Sequence, residues 1–381
     1  MNSKERTYAA ISGGIPDRVP VIPKIWLDLA AKLMRVEAAE VLQNPLLALE
    51  IMADTGVALG LDGVRQFHIP SRKVRMENAD IYHVDKNGRR LGKIDINGGW
   101  ATHFDDAAEF RLDDPEMMIH YQYWASKEPF VKNLNDVKKI CVPDKSYYEE
   151  AGYGRNQREI IQKTGDELAL IGDCGTATLA FCVCLRGMNN TIFDMLDDPE
   201  LVHAMMEKGT GIAIEKGKFN IDNGMRILRL NDSVANMSVI SPELWKRFVF
   251  PHLKEVCDEL HRYDPEVRIY CHICGNILPV IEEIIMAGMD CIGPLDPLGG
   301  FTCGQARALA GDRAALMGGV DTMSFINRST EEIYEEAGQN GGYVLGSGCV
   351  IPRGAKAESI KALVDAAKAF GTYDNRILRS K

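Results

Sequence analysis

"VRIYCHICG" (residues 267–275) is a short apolar run that ends in small and polar residues and precedes a helix-like segment. Continuous apolar runs of this kind are typical of strands in a parallel sheet that helices cover. The chain contains eight such runs, at 19–25, 62–67, 168–173, 225–232, 267–275, 290–296, 314–321 and 343–350. Eight strand-then-helix units predict an α/β fold, a (β/α)8 TIM barrel, which takes about 250 residues before insertions.

The surplus length lies mainly between the second and third runs. Residues 68–160 contain Asn87-Gly88 between strand-like stretches, which indicates a hairpin. We therefore expect one barrel domain over residues 1–381, with 68–160 as an insertion after the second strand, over the barrel mouth. A doubly wound sheet is the competing architecture, but no G-x-G-x-x-G follows a strand-like run.

The composition predicts a cytoplasmic globular protein. The chain has 381 residues, a net charge of −10 and 46% hydrophobic residues, and an acidic balance argues against a nucleic-acid surface. No run approaches the roughly 20 apolar residues of a membrane helix, and the charged start lacks a signal-peptide core. The ten cysteines are scattered, unlike the disulfide framework of a small secreted protein.

Polar residues collect where the predicted strands end, which is where TIM barrels carry their active sites. These residues are Asp173, Asn231, Asp232, His272, Cys274, Asp296, Asp321 and Cys349. For the Asp and Asn residues, capping of the following helix is the competing role.

Three of these residues predict a zinc site. His272 and Cys274 alternate along a strand and share a face, whereas Cys271 should point to the opposite face. H-x-C alone is a weak motif, but the glycine-flanked Cys349 on the eighth run can join the pair when the barrel closes. Catalytic zinc typically has three protein ligands and one open position. We predict His272, Cys274 and Cys349 as the ligands.

Two thiolates and an imidazole suit methyl or alkyl transfer. Zinc with this ligand set can bind a thiol and lower its pKa, or act as a Lewis acid on an ether or alcohol. Hydrolytic zinc sites rely more on histidine and carboxylate ligands. A structural zinc in a binding scaffold is a non-enzymatic alternative, but such sites usually have four protein ligands with close C-x₂₋₄-C pairs.

Several carboxylates and one amide are candidates for supporting roles. Asp232 and Asp296 are candidates for orienting His272 or exchanging a proton with the substrate. Asn231, Asp173 and Asp321 are candidates for binding the substrate.

Long stretches of the chain resemble the uroporphyrinogen decarboxylase superfamily. They are "ERTYAAISGGIPDRVPV" (5–21), "GDCGTATLAFCVCLRG" (172–187), "NDSVANMSVISPELWKRFVFPHLKEV" (231–256), "YCHICGNILPVIEEIIMAGMDCIGPLD" (270–296) and "GSGCVIPRGAKAESIKALVDAAKAFG" (346–371). The resemblance implies a (β/α)8 barrel. The H-x-C…C pattern resembles the zinc methyltransferase branch, which includes the methylcobalamin:coenzyme M methyltransferases, and this implies zinc ligation by His272, Cys274 and Cys349.

The resemblance implies a zinc-dependent methyltransferase that moves a methyl group between a corrinoid (cobalamin) protein and a small molecule. That molecule is a thiol such as coenzyme M, or a methoxylated aromatic, methylamine or methanol. We expect the corrinoid on a separate protein, because the chain lacks D-x-H-x-x-G, a cobalamin-binding signature. A second copy of the chain is a further candidate partner.

Four aromatic residues of the insertion could line a pocket for an aromatic methyl ether or form the insertion's own core, and we favour the core. They are Trp100, Tyr121, Tyr123 and Trp124.

Decarboxylation of a porphyrinogen is the alternative activity within the superfamily. A substrate with many carboxylates needs several guanidinium groups. The N-terminal region "RVPVIPKIWLDLAAKL" (18–33) offers Arg18 and Lys24 but lacks the R-Q-A-G-R signature of the decarboxylase branch. We therefore expect methyl transfer.

Overall fold

The computed structural model describes residues 1–65, 72–97, 99–322 and 341–373. The strands are β1 (Gly63–Val64), β2 (Val74–Glu77), β3 (Asp80–Val84), β4 (Arg90–Ile94), β5 (Thr102–Phe104), β6 (Trp124–Ala125), β7 (Ala169–Leu170), β8 (Gly172–Asp173), β9 (Ile227–Asn231), β10 (Arg268–His272), β11 (Cys291–Leu295), β12 (Ala315–Val320) and β13 (Tyr343–Ser347).

The helices surround these strands. They are α1 (Ser3–Ile11), α2 (Leu27–Met34), α3 (Ala38–Gln43), α4 (Pro45–Leu59), α5 (Pro115–Met118), α6 (Leu134–Lys139), α7 (Lys145–Glu150), α8 (Tyr153–Thr164), α9 (Leu179–Arg186), α10 (Met188–Asp197), α11 (Pro199–Asp222), α12 (Pro242–Leu244), α13 (Phe250–Tyr263), α14 (Ile281–Met286), α15 (Cys303–Ala310) and α16 (Ala357–Phe370). Across the described ranges, none of the helices combines the length and the apolar character that crossing a membrane requires.

The strands close into a (β/α)8 barrel. β8 to β13 form one parallel sheet in chain order, and β1 pairs in parallel with β7, which leads into β8. The extended segment 19–25 completes the ring, because the Ile22 N–H donates to the Leu345 carbonyl on β13 (2.8 Å) and the Asp62 N–H donates to the Val21 carbonyl (3.0 Å). The predicted fold class is confirmed; positions 66–67 of the second run lie outside the described residues.

Alternate strand residues face two different cores. A small cluster fills the barrel interior and includes Ile22, Ile227 and Tyr270, together with Ala10 and Ile11 of α1. Helix α1 therefore covers one end of the barrel. A larger cluster lies between the strands and the surrounding helices; Cys271 belongs to it, so the prediction that Cys271 faces away from His272 is confirmed.

Residues between β1 and β7 build a second, five-stranded sheet in the order β2-β3-β4-β5-β6. The predicted hairpin is confirmed, because β3 and β4 pair in antiparallel orientation and Gly88 adopts a φ of +81° in the turn between them. A left-handed φ at this position is what the Asn-Gly signal supplies. Positions 68–71 and 98 lie outside the described residues.

The helix after β9 begins at a serine cap. The Ser241 hydroxyl accepts a hydrogen bond from the Leu244 N–H (3.3 Å), with Pro242 in the first turn. A π-helical turn at Trp245–Val249 then leads into α13. The helix that follows β13, α16, ends at Phe370, directly before Gly371.

Candidate metal centre

The three predicted zinc ligands lie at the ends of β10 and β13. His272 is the last residue of β10 and is fully buried. Cys274 follows it by two residues, and Cys349 lies two residues beyond β13; both are half-buried. The Cys274 thiol lies close enough to the Cys349 thiol to lower the pKa of Cys349. The fold therefore brings together two cysteines that lie far apart in the sequence.

A lysine lies among these three side chains. The Lys24 Nζ atom lies 2.9 Å from the His272 Nε2 atom and within Coulombic range of the Cys274 and Cys349 thiols. Burial lowers the pKa of Lys24 to about 7, and the positive charge of Arg229 adds to this effect. Over the described residues, no three His, Cys, Asp or Glu side chains are spaced to share a metal ion; in this arrangement the imidazole contacts the lysine amine.

The donors nevertheless fit zinc chemically. The Tyr270 hydroxyl is hydrogen-bonded to His272 Nδ1 (2.8 Å), so the ring presents Nε2 towards Lys24. A histidine whose second nitrogen is held in this way is the usual arrangement at metal sites. By their chemistry, two thiols and one oriented imidazole make a soft three-ligand set of the kind that catalytic zinc uses.

The Asp232 carboxylate contacts the start of α9, and its roles in orienting His272 or exchanging a proton with the substrate stay predictions. It accepts hydrogen bonds from the backbone N–H groups of Leu179 (3.2 Å) and Ala180 (2.7 Å) and from the Thr178 hydroxyl. It therefore caps α9, a helix that precedes Asp232 in the chain, and not the following helix that the competing role specified. Burial raises the pKa of Asp232 to about 7.

Asp296 holds the loop that carries Cys274. Its carboxylate accepts hydrogen bonds from the Gly275 N–H and the Leu298 N–H, both at 3.1 Å. Burial raises the pKa of Asp296, and the neighbouring charge of Asp321 contributes to the shift. This carboxylate lies close enough to both cysteines to act on their charge. Proton exchange by Asp296 stays a prediction.

Asp173 belongs to a fully buried ion network. It contacts Lys216 Nζ at 3.2 Å and Arg229 Nη1 at 2.6 Å. The Arg229 Nη2 group in turn donates to the Asn231 side-chain oxygen (2.7 Å). Asp173 therefore neutralises two buried cations and positions Arg229, and its predicted contact with a substrate stays untested.

A cavity of about 290 Å³ lies beside Lys24. Asn231, predicted to bind substrate, is among its lining residues, with Lys24 and Arg229 from the barrel. Trp100 and Tyr123 also line it. Its other polar and aromatic walls include Trp26, Asp28, Arg72 and Gln122.

The four aromatic residues of the insertion all take part in the core. Trp100, Tyr121 and Trp124 are buried in it, and Tyr123 packs against it. The core interpretation that the sequence favoured is thus right, and Trp100 and Tyr123 also line the cavity. The sequence reasoning also missed four groups at or beside the site: Lys24, Arg72, Arg229 and Tyr270.

Comparison with curated proteins finds relatives with two different activities. A methylated-thiol–coenzyme M methyltransferase from Methanosarcina mazei is 27% identical over 212 residues, which are 55% of this chain and 55% of the relative. A uroporphyrinogen decarboxylase from Chlorobium phaeovibrioides is 26% identical over 259 residues, 63% of this chain and 70% of the relative. The chain spans only about half the length of the methyltransferase.

The structural and family comparisons agree on the fold. A solved structure of a methyltransferase from Methanosarcina mazei matches with a TM-score of 0.67 and 16% identity, over 97% of this chain and 99% of that chain. The family model described as uroporphyrinogen decarboxylase (URO-D) matches residues 117–370, which is more than half of the chain. The chain therefore belongs to the uroporphyrinogen decarboxylase (URO-D) family.

Proposed function

We propose that this protein is a zinc-dependent methyltransferase that moves a methyl group between a corrinoid protein and a small methyl donor or acceptor. One observation carries the proposal: His272, Cys274 and Cys349 lie at the ends of β10 and β13, with the Lys24 amine 2.9 Å from the oriented imidazole of His272 and near both thiols. The similarity to the methylated-thiol–coenzyme M methyltransferase supports the same reaction class.

His272, Cys274 and Cys349 would hold the zinc. When bound there, zinc supplies Lewis acidity that activates a thiol or an ether oxygen. Tyr270 orients the imidazole, and Asp296 fixes the backbone after Cys274. With its pKa lowered to about 7, the Lys24 amine can take or release a proton at Nζ beside the cavity.

The cavity favours a small ligand over a porphyrinogen. Its volume of about 290 Å³ is at the lower end of the range for ligand pockets, about 300–1,000 Å³. Arg229, one of its cations, is already paired with Asp173. We therefore propose methyl transfer rather than decarboxylation. We also propose that residues 68–160 form an insertion over the barrel mouth.

A spectroscopic corrinoid assay tests the function. Zinc-loaded protein would be mixed with methylcob(III)alamin and thiols, and separately with cob(I)alamin and methoxylated aromatics, methylamine or methanol. We expect conversion of the corrinoid spectrum in one mixture, and its loss after zinc is removed with a chelator. Absence of conversion in every mixture, with release of CO₂ from uroporphyrinogen, would assign decarboxylation instead.

Tyr270→Phe is expected to weaken zinc binding about tenfold, because His272 loses the hydroxyl that fixes its ring. The measurement is competition for zinc against a chromophoric chelator. Tyr343→Phe is the matched control, since it removes another buried barrel hydroxyl, which donates to the Gly318 carbonyl (2.9 Å). Equal zinc affinities in the two variants would refute the orienting role of Tyr270.

A further inference from the structure

Arg72 places a buried cation with spare hydrogen-bonding capacity on the cavity wall. It is almost fully buried, and its guanidinium donates to the Thr102 hydroxyl (3.1 Å) and to the Trp100 carbonyl. Within the part of the chain that the structure describes, the Arg72 Nε group has no hydrogen-bond partner. Among the residues that the structure describes, no carboxylate pairs with Arg72. A buried charged donor left unpaired is costly, so the site favours an anion.

The other charges around the cavity also favour an anion. Arg229 lines the cavity; its Nη1 group is paired with Asp173, and among the described residues its Nε group has no hydrogen-bond partner. Lys24 adds a third basic group. Asp28, the carboxylate on this wall, is bound to Arg353 at 3.0 Å. The lining therefore combines three basic side chains, of which Arg229 is already paired with Asp173, with one carboxylate that is bound to Arg353.

Aromatic rings supply the apolar part of the wall. Trp26 is 37% exposed and shares the lining with Trp100 and Tyr123. The Arg72 guanidinium lies 5.6 Å from the centre of the Tyr123 ring, so the basic and aromatic parts are adjacent. A Cβ atom at Gly99 would lie 2.5 Å from the Trp26 ring. Glycine at this position therefore lets the insertion approach that ring closely.

We propose that this cavity binds a small aromatic carboxylate, with its carboxylate on Arg72 and its ring against the aromatic wall. A guanidinium matches a carboxylate through charge-assisted hydrogen bonds, and offset or edge-to-face packing holds an aromatic ring. The volume of about 290 Å³ admits a single substituted ring. That the cavity binds such a ligand does not depend on the proposed function. That this ligand is the small-molecule partner of the methyl transfer does rest on the proposed function.

Isothermal titration calorimetry with zinc-loaded protein, without corrinoid, tests the ligand class. The probes are 4-methoxybenzoate, its neutral analogue 4-methoxybenzyl alcohol, cyclohexanecarboxylate and 2-mercaptoethanesulfonate. We expect 4-methoxybenzoate to bind at least about tenfold more tightly than each of the others. Equal or tighter binding of any of the other three would overturn the proposal. The corrinoid assay is independent of this result, so failure of one does not imply failure of the other.

Two variants locate the binding groups. Arg72→Met is expected to weaken 4-methoxybenzoate binding about ten- to a hundredfold and to leave 4-methoxybenzyl alcohol unchanged. Arg75→Met, on the exposed side of β2, is the matched control. Unchanged 4-methoxybenzoate binding in a folded Arg72→Met protein would refute the proposal. If circular dichroism shows that Arg72→Met does not fold, the test uses the half-exposed Trp26 instead. Trp26→Leu should remove the preference for 4-methoxybenzoate over cyclohexanecarboxylate. A retained preference would refute the proposal.

Discussion

Cys349→Ser is expected to remove zinc and methyl transfer together. A serine hydroxyl stays protonated near neutral pH and is a poor zinc ligand, whereas the nearby Cys274 thiol lowers the pKa of the Cys349 thiol. We expect zinc affinity to fall at least about a hundredfold, because metal binding at such sites depends on deprotonated ligands. Metal analysis by mass spectrometry after dialysis, with the corrinoid assay on the same sample, measures both effects.

Cys271→Ser is the matched control for this experiment. Cys271 neighbours His272 on β10 but packs against the helices rather than facing the site. Its replacement can lower stability, yet zinc content and turnover per folded molecule should stay as in the wild type. If Cys349→Ser retains full zinc and full turnover, Cys349 is not a ligand.

Asp173→Asn is expected to destabilise the protein by about 3–5 kcal/mol, because it leaves Lys216 and Arg229 buried without their shared counter-charge. Urea denaturation at pH 7 measures the change in the free energy of unfolding. Asp258→Asn is the control: Asp258 pairs with Lys254 on an exposed helix face, where ion pairs contribute little. Similar losses in the two variants would contradict the structural role of the buried network.

The same variant has a predicted pH dependence. Burial alone would raise the pKa of Asp173, but the charges of Lys216 and Arg229 lower it. Since the folded-state pKa is lowered, the ionised carboxylate stabilises the fold above its unfolded pKa of about 3.9, and this contribution is lost as the pH falls through the folded pKa. The difference between wild type and Asp173→Asn should therefore be largest near neutral pH and shrink in acid.

The barrel could be predicted because each strand carries its own apolar run. Alternation along 267–275 also separates the two faces of β10, with Tyr270 facing the barrel interior and Cys271 the helices. The same alternation contained a signal that the sequence reasoning left unused. Lys24 lies two residues beyond Ile22, and Arg229 lies two residues beyond Ile227, and both isoleucines face the interior. A period of two therefore places both cations at the site.

Other features could not be predicted because they depend on contacts between distant segments. The capping role of Asp232 is fixed by its contact with the start of α9, some fifty residues earlier in the chain. In the insertion, the strands span two to five residues, and runs this short give weak periodicity. Tyr123 belongs to a 3₁₀ turn, so neither a strand nor an α-helix period assigns its side chain to cavity or core.

The contacts of Lys24 determine when the site can form during biosynthesis. The Lys24 N–H donates to the Ser347 hydroxyl (2.9 Å) across 323 positions of the chain, and its amine reaches His272 across 248 positions. Contacts of such long sequence separation form late in folding, after many loops have closed. Until β13 has emerged from the ribosome, the nascent chain lacks an accessible Cys349. It also lacks the strand with which segment 19–25 pairs to close the barrel. Loading of the proposed zinc site therefore requires that synthesis has passed Cys349.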